Sequence, residues 1–110
     1  MKIETRQEAD ATIVALAGRM DALTAPEFEK AFNALIDEGK RSFIVNFKGV
    51  DYISSAGIRS ILVVSRRLKA DNGKLILAEL TDGVRGVLDM TGFAKILEIY
   101  ASVEEALTHL

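Results

Sequence analysis

Two adjacent hydroxyls, Ser54 and Ser55, stand where chemistry is most readily done in this chain. The run Phe43-Ile44-Val45-Asn46-Phe47 before them reads as a buried strand. Ile58, Ile61, Leu62, Ser65 and Leu68 after them recur with helical spacing. The stretch Asp51-Tyr52-Ile53-Ser54-Ser55-Ala56-Gly57-Ile58-Arg59 is therefore a strand-to-helix corner. The first four N–H groups of a helix have no internal partners, and the macrodipole places about half a positive charge there. Such a corner suits an anion, phosphate above all. With Ser54 as N-cap, Ile53 and Ile58 fall at N′ and N4 and make a hydrophobic staple. With Ser55 as cap the pair would be Ser54 and Arg59, which is no staple. Ser54 is thus expected to spend its oxygen on the backbone, leaving Ser55 a freer hydroxyl in the first turn. The alternative is that both serines do no more than cap the helix.

Other chemistry has little to stand on. The sole imidazole, His109, is one residue from the C-terminus and is expected to fray. A Ser-His-acid triad would need it beside Ser54 or Ser55, and nothing in the pattern places it there. The chain has no HExxH, no cluster of metal ligands, no EF-hand loop, no GxGxxG and no Walker A sequence. Asp82-Gly83-Val84-Arg85-Gly86 could form an anion nest or simply start a helix, and Glu104-Glu105 suits a helix first turn. No catalytic residue, metal or cofactor is expected. On the helix after the serines, Arg59, Val63, Arg66, Arg67 and Ala70 share an outward side. That side reads either as a solvated face or as a docking face for an acidic or mixed partner. It lacks the aromatics that would stack on RNA.

The elements holding the corner belong to one domain of 110 residues, long enough for its own core. A net charge of −2 gives no global attraction for nucleic acid or an anionic membrane. With no Cys there is no disulfide framework and no thiolate site. Met1-Lys2-Ile3-Glu4-Thr5-Arg6 shows no signal-peptide pattern, and no apolar run approaches membrane-spanning length, so a cytoplasmic setting is the expectation.

In order, Lys2 to Gln7 reads as a charged edge strand, Glu8 to Asp10 as a break, and Thr12 to Ala17 as the second arm of a hairpin. Gly18-Arg19-Met20-Asp21 is expected to leave the sheet. Thr24-Ala25-Pro26-Glu27 has the form of a capping box, and the helix it opens carries Phe28, Phe32, Leu35 and Ile36 on one face before Gly39. The second helix should run to about Asp71 and stop at Asn72-Gly73. Lys74 to Ala78 is a strand, and Thr81 caps a third helix ending at Gly92 with Leu88 and Phe93 in contact. Ile96 to Tyr100 reads as a last strand. Ser102-Val103-Glu104-Glu105 opens a terminal helix with Val103, Ala106, Leu107 and Leu110 inside. The order β-β-α-β-α-β-α-β-α predicts an α/β fold: a mixed sheet of four to five strands, mostly parallel with an antiparallel N-terminal hairpin, and about four helices.

Several of these stretches together resemble a known family. Tyr52-Ile53-Ser54-Ser55-Ala56-Gly57-Ile58 is similar to the signature loop of STAS domains, in particular bacterial anti-sigma factor antagonists. Gly18-Arg19-Met20-Asp21, Asn46-Phe47-Lys48-Gly49-Val50, Leu88-Asp89-Met90-Thr91-Gly92-Phe93 and Ile99 to Leu107 match further family stretches in the same order. The likeness covers residues 1–110 as a single STAS domain. In the family the signature is commonly Asp-Ser-Ser/Thr/Ala-Gly-Leu, and the serine after the Asp is phosphorylated. That serine is Ser55 here, with Ser54 the rival acceptor. Ser54 itself stands at the Asp position, a departure that leaves capping intact, since Asp and Ser cap equally well.

The resemblance implies a non-enzymatic partner switch. The unphosphorylated protein binds an anti-sigma factor, usually a serine kinase of the histidine-kinase-like ATPase fold, and a sigma factor is released. The kinase phosphorylates the serine and the complex separates; a PP2C-type phosphatase reverses it. The implied contact surface is Asp21, Ser54, Ser55, Ala56, Gly57, Ile58, Arg59, Val63 and Arg66. Nucleic acid and membrane insertion are not implied. Two rivals remain: an unphosphorylated STAS accessory subunit of a transporter or larger signalling assembly, and a nucleotide-binding protein or enzyme using the helix-end anion site.

Overall fold

The charged N-terminal run forms an edge strand, where lysines, arginines and glutamates protect open backbone from pairing with other chains. β1 (Lys2–Glu8) pairs antiparallel with β2 (Ala11–Met20), and Glu8 faces Ala11, so the polar break is a tight hairpin turn. The computed structural model describes all 110 residues. They continue as α1 (Ala25–Asp37), β3 (Ser42–Ile53), α2 (Ser55–Ala70), β4 (Lys74–Ala78), α3 (Asp82–Thr91), a 3-10 turn (Phe93–Lys95), β5 (Glu98–Tyr100) and α4 (Val103–Leu107). The five strands lie in chain order, and every pairing after the first hairpin is parallel. The expected element order and mixed sheet are both present.

β3 is the middle strand because its apolar run can be buried on both faces. Phe43, Val45 and Phe47 enter the main core with α1, α2 and α3. Ile44 enters a smaller core on the other face, with Ile13, Ile76 and the α4 residues Val103 and Ala106. Phe28, Phe32 and Phe43 form a tilted row, with ring centroids 4.5 and 5.1 Å apart. Polar bonds join α1 to α2: Ser60 Oγ donates to Glu29 Oε2 at 2.5 Å. Arg67 donates to Asn33 Oδ1 at 2.7 Å and to Asp37 Oδ1 at 2.5 Å. Arg67 is thus tied to α1, not part of the free outward side. On the buried side of α2, Val64 takes the place expected of Ser65, which is half-buried.

Three expectations at the C-terminal end need correction. The last strand starts at Glu98, two residues later than the apolar run suggests. The N–H groups of Ile96 and Leu97 are still committed to Phe93 O in the preceding turn, and Ile96 is 66% exposed. His109 is not frayed: its ring stacks on Tyr100 (4.2 Å, 7°), and its carbonyl accepts from Lys74 Nζ at 2.6 Å. Leu110 lies outside the core. The glycine-terminated helix ends and the start of α4 follow their signals. Gly39 takes φ +98°, with the Lys40 N–H returning to Leu35 O, and Gly92 takes φ +82°. Ser102 Oγ accepts from the Glu105 N–H at 3.0 Å. Phe93 packs against the core that holds Leu88.

Candidate partner-binding site

The site exists because β2 and β3 run together further than their hydrophobic patterns do. β2 continues through Gly18 and Arg19 to Met20, which the sequence pattern had leaving the sheet, and β3 continues past Phe47 to Ile53. The ladder slips register twice, between Ala15 and Ala17 and between Gly18 and Arg19, and finally sets Met20 opposite Ile53. Each slip turns side chains to the other face, so simple alternation breaks there. Gly49 sits at the first slip, where a Cβ would lie 2.7 Å from Leu16 O. The paired ends deliver two loops to the same place. The Ser54 N–H donates to Met20 O at 2.9 Å, binding the start of α2 to the strand that leads into Asp21.

Ser54 is the N-cap of α2, with extended φ/ψ, and its Oγ accepts from the Gly57 N–H at 3.4 Å. Ile53 and Ile58 are both buried in the main core, as a staple requires. Ser55 is the first residue of the helix and exposed, and its hydroxyl makes no hydrogen bond within the chain. Ala56 is half-buried. Gly57 and Ile58 are buried, and Gly57 is a spacer in the first turn of α2. An anion on Ser55 Oγ would stand at the positive end of a sixteen-residue helix.

Asp21 is half-buried beside this corner and closes the turn that leads into α1, whose N-cap position is Thr24. Its Oδ1 accepts from the N–H groups of Leu23 (3.0 Å) and Thr24 (3.2 Å), and its carbonyl accepts from Thr24 and Ala25. The capping box expected of Thr24 and Glu27 does not form. Thr24 Oγ is already spent, accepting from the Asp21 N–H at 2.9 Å and donating to Arg19 O at 2.7 Å. Partial burial pushes the Asp21 carboxyl up, but hydrogen bonds from the Thr24 and Leu23 backbone, and then from Arg19 and the Thr24 hydroxyl, together hold it below its ordinary value. A carboxyl whose folded pKa is depressed stabilises the fold above its unfolded pKa of about 3.9, and that contribution is lost as pH falls through the folded value. Asp21→Asn, which keeps an oxygen acceptor for the Leu23 and Thr24 N–H groups, is therefore expected to flatten the acid limb of urea-melt stability between about pH 5 and pH 3. Asp21→Ala, which removes both turn hydrogen bonds, is expected to lower Tm by about 5 °C at neutral pH.

Around Asp21 the surface holds residues that the sequence did not single out. Arg19 Nε lies 3.5 Å from Asp21 Oδ2, and its guanidinium carbon sits 4.1 Å from the centroid of the Tyr52 ring. Leu23 is 86% exposed, an apolar side chain standing in solvent between β2 and α1. Its only sequence signal is that it falls outside the buried stripe of Phe28, Phe32 and Ile36.

Along α2, Ser55, Ile58, Arg59, Val63 and Arg66 line one cleft of about 410 Å³. Its opposite wall is Thr91 and Phe93, from the end of α3 and the turn after it, with Leu62 in the floor. Phe93 entered the sequence reading only as the end of a helix, so its place in this wall is decided by packing. Arg6, Arg19, Arg41, Arg67 and Arg85 each face a carboxylate of the chain, whereas Arg59 and Arg66 face none. The cleft is thus an apolar floor between two free guanidinium groups, with a hydroxyl at one end.

A mixed sheet in simple chain order, flanked by four helices and bearing a hydroxyl at the corner between β3 and α2, defines a STAS domain. The STAS domain family matches residues 2–106, and the chain belongs to it. It is 35% identical over 103 residues to BtrV of Bordetella bronchiseptica, assigned as an anti-sigma factor antagonist, covering 93% of this chain and 89% of that one. Its fold superposes on an anti-sigma factor antagonist structure from Thermotoga maritima with TM-score 0.91 at 20% identity, covering 97% of this chain and 92% of that one. The Bacillus protein SpoIIAA, solved in its phosphorylated form, shares the fold with TM-score 0.73 at 22% identity, covering 98% of both chains. No helix is long and apolar enough to cross a membrane.

Proposed function

We propose that this STAS domain is an anti-sigma factor antagonist working in the cytoplasm. In its unphosphorylated form it binds an anti-sigma factor, a serine kinase of the histidine-kinase-like ATPase fold, and a sigma factor is released. Phosphorylation of Ser55 ends the complex, and a PP2C-type phosphatase restores it. The chain catalyses nothing itself. The observation that carries this reading is the state of Ser55: exposed, in the first turn of α2, at the head of a cleft with unpaired arginines. Similarity to BtrV over nearly the whole chain supports the role.

The physics of the corner suits such a switch. Phosphate adds about −1.5 to −2 charges at Ser55. Within the domain that charge meets the helix dipole and unpaired N–H groups, so neither sheet nor helices need rearrange. Within an interface it would be desolvated or would meet like charge. Incubation with the cognate kinase and ATP, read by intact mass, tests the assignment. The wild type should gain one phosphate and Ser55→Ala none. A phosphate gained by Ser55→Ala but lost in Ser54→Ala would move the site to its neighbour.

The partner surface is read as Asp21 and Leu23 on one loop, Ser54 and Ser55 on the other, and Arg59, Val63 and Arg66 along α2. Leu23→Ala is expected to leave Tm within about 1 °C, since an exposed side chain contributes little to folding. The same change should weaken partner binding about tenfold, as loss of an apolar anchor does. Calorimetry with the captured partner measures it.

Ser54, where the family commonly has Asp, favours a second reading: an unphosphorylated accessory subunit of a transporter or signalling assembly. A chain that binds a transport protein and takes up no phosphate from any kinase in a native lysate would establish it.

A further inference from the structure

We propose that Arg59 is the internal ligand of a phosphate on Ser55, so that modification silences the cleft in two ways at once. The inference rests on the reading of Ser55 as the modified residue. Ser55 and Arg59 are four residues apart on one helix, a spacing that brings side chains together on the same face. Both are exposed, and both line the cleft between α2 and the end of α3. Arg59 has no carboxylate partner of its own, so nothing in the chain competes for its guanidinium. Within α2 no acid opposes the phosphate: the cap is Ser54, and the first turn contains no Asp or Glu; Asp21, on the neighbouring loop, is already engaged by Arg19 and by the Leu23 and Thr24 N–H groups.

A guanidinium matches phosphate with two parallel N–H···O bonds, and a phosphoserine side chain is long enough to meet it across one helical turn. Arg66 lies two further turns along, about 16 Å from Ser55 along the helix, and stays out of reach. Phosphorylation then does more than add an anion. It occupies one of the two free cations of the cleft, leaving Arg66 alone to meet an incoming carboxylate. The phosphate acts as an intramolecular competitor for the charge that a partner would use.

The test places phosphoserine at position 55 by genetic encoding in the full chain, so no kinase takes part. The second ionisation of the phosphate is followed by ³¹P NMR titration, with a reference value of about 6. Held by Arg59, it should titrate lower, and Arg59→Gln should raise it by about half a unit. Arg59→Lys should restore part of the depression. Arg66→Gln removes the same charge from the same cleft but lies about two Debye lengths from the phosphate at physiological salt. It should shift the value by no more than about a tenth of a unit. Equal shifts from Arg59→Gln and Arg66→Gln, or none from either, would overturn the proposal. Because the phosphate is installed directly, that outcome is separate from the intact-mass assay, which alone decides whether Ser55 is the residue a kinase modifies. All three side chains positions are exposed, and unchanged backbone NMR shifts would show the fold intact in each variant.

Discussion

A phosphate on Ser55 is expected to weaken binding of the anti-sigma factor about a hundredfold, a loss of ~2.8 kcal/mol. The size follows from where the charge stands. Ser55 heads a cleft lined by Ile58, Leu62 and Val63, so a partner that fills it excludes water from the Ser55 hydroxyl. A group of charge about −2 must then be stripped of solvent without a matching cation from the partner. Calorimetric titration of the phosphorylated and unphosphorylated proteins against the captured partner measures the ratio. The domain itself should be unmoved: NMR shifts should change around Ser54 to Arg59 and in the Asp21 loop, and not in β1, β4 or α4. A tenfold or smaller effect on binding, or shifts spread through the sheet, would contradict a switch based on local charge and bulk.

The second large effect falls on a residue with no chemistry. Gly57→Ala is expected to destabilise the fold by about 2–3 kcal/mol, at the upper end of what overpacking costs. A Cβ there would lie 2.8 Å from Met20 O, 2.9 Å from Ile53 Cγ1 and 3.0 Å from Met20 Cγ. The first obstacle is backbone, and it is the same carbonyl that accepts the Ser54 N–H. To make room, the start of α2 must move away from β2, which parts the Ser55 corner from the Asp21 loop. Tm should fall by about 10–20 °C for a domain of this size, and partner binding should fail even where the fold survives. Gly86→Ala is the control. Gly86 is also a helical glycine, but nothing lies within 4 Å of its Cβ position. There the same substitution should stabilise by up to ~1 kcal/mol, because alanine gives up less backbone freedom than glycine in a helix. Opposite signs for one chemical change would place the effect in the close approach of α2 to Met20. If both glycines tolerated alanine equally, that approach would not be what holds the two loops together.

Much of the architecture was legible in the residues themselves, because its signals are local. Apolar periodicity marked the helices, the Phe43–Phe47 run marked the middle strand, and Gly39, Gly92, Ser102 and the Ser54 cap marked ends whose geometry needs only a few neighbours. Where neighbouring signals were ambiguous, tertiary contacts chose. Thr24 could have capped α1, but its hydroxyl is taken by Arg19 and Asp21. His109 could have frayed, but the Tyr100 ring lies against it. Arg67 shares a helix face with Arg59 and Arg66 by spacing, yet Asn33 and Asp37 claim it.

Taken alone, the chain of residues determined which atoms could act: a hydroxyl at a helix start, with an arginine one turn on. It did not determine what stands across from them. That depended on two register slips carrying Met20 to Ile53, and on the end of α3 folding back to set Phe93 against α2. The reason is physical. Caps and periodicity are settled by residues within a turn of one another, whereas a bulge or a cleft wall is settled by packing between segments distant in the chain, which no local pattern records.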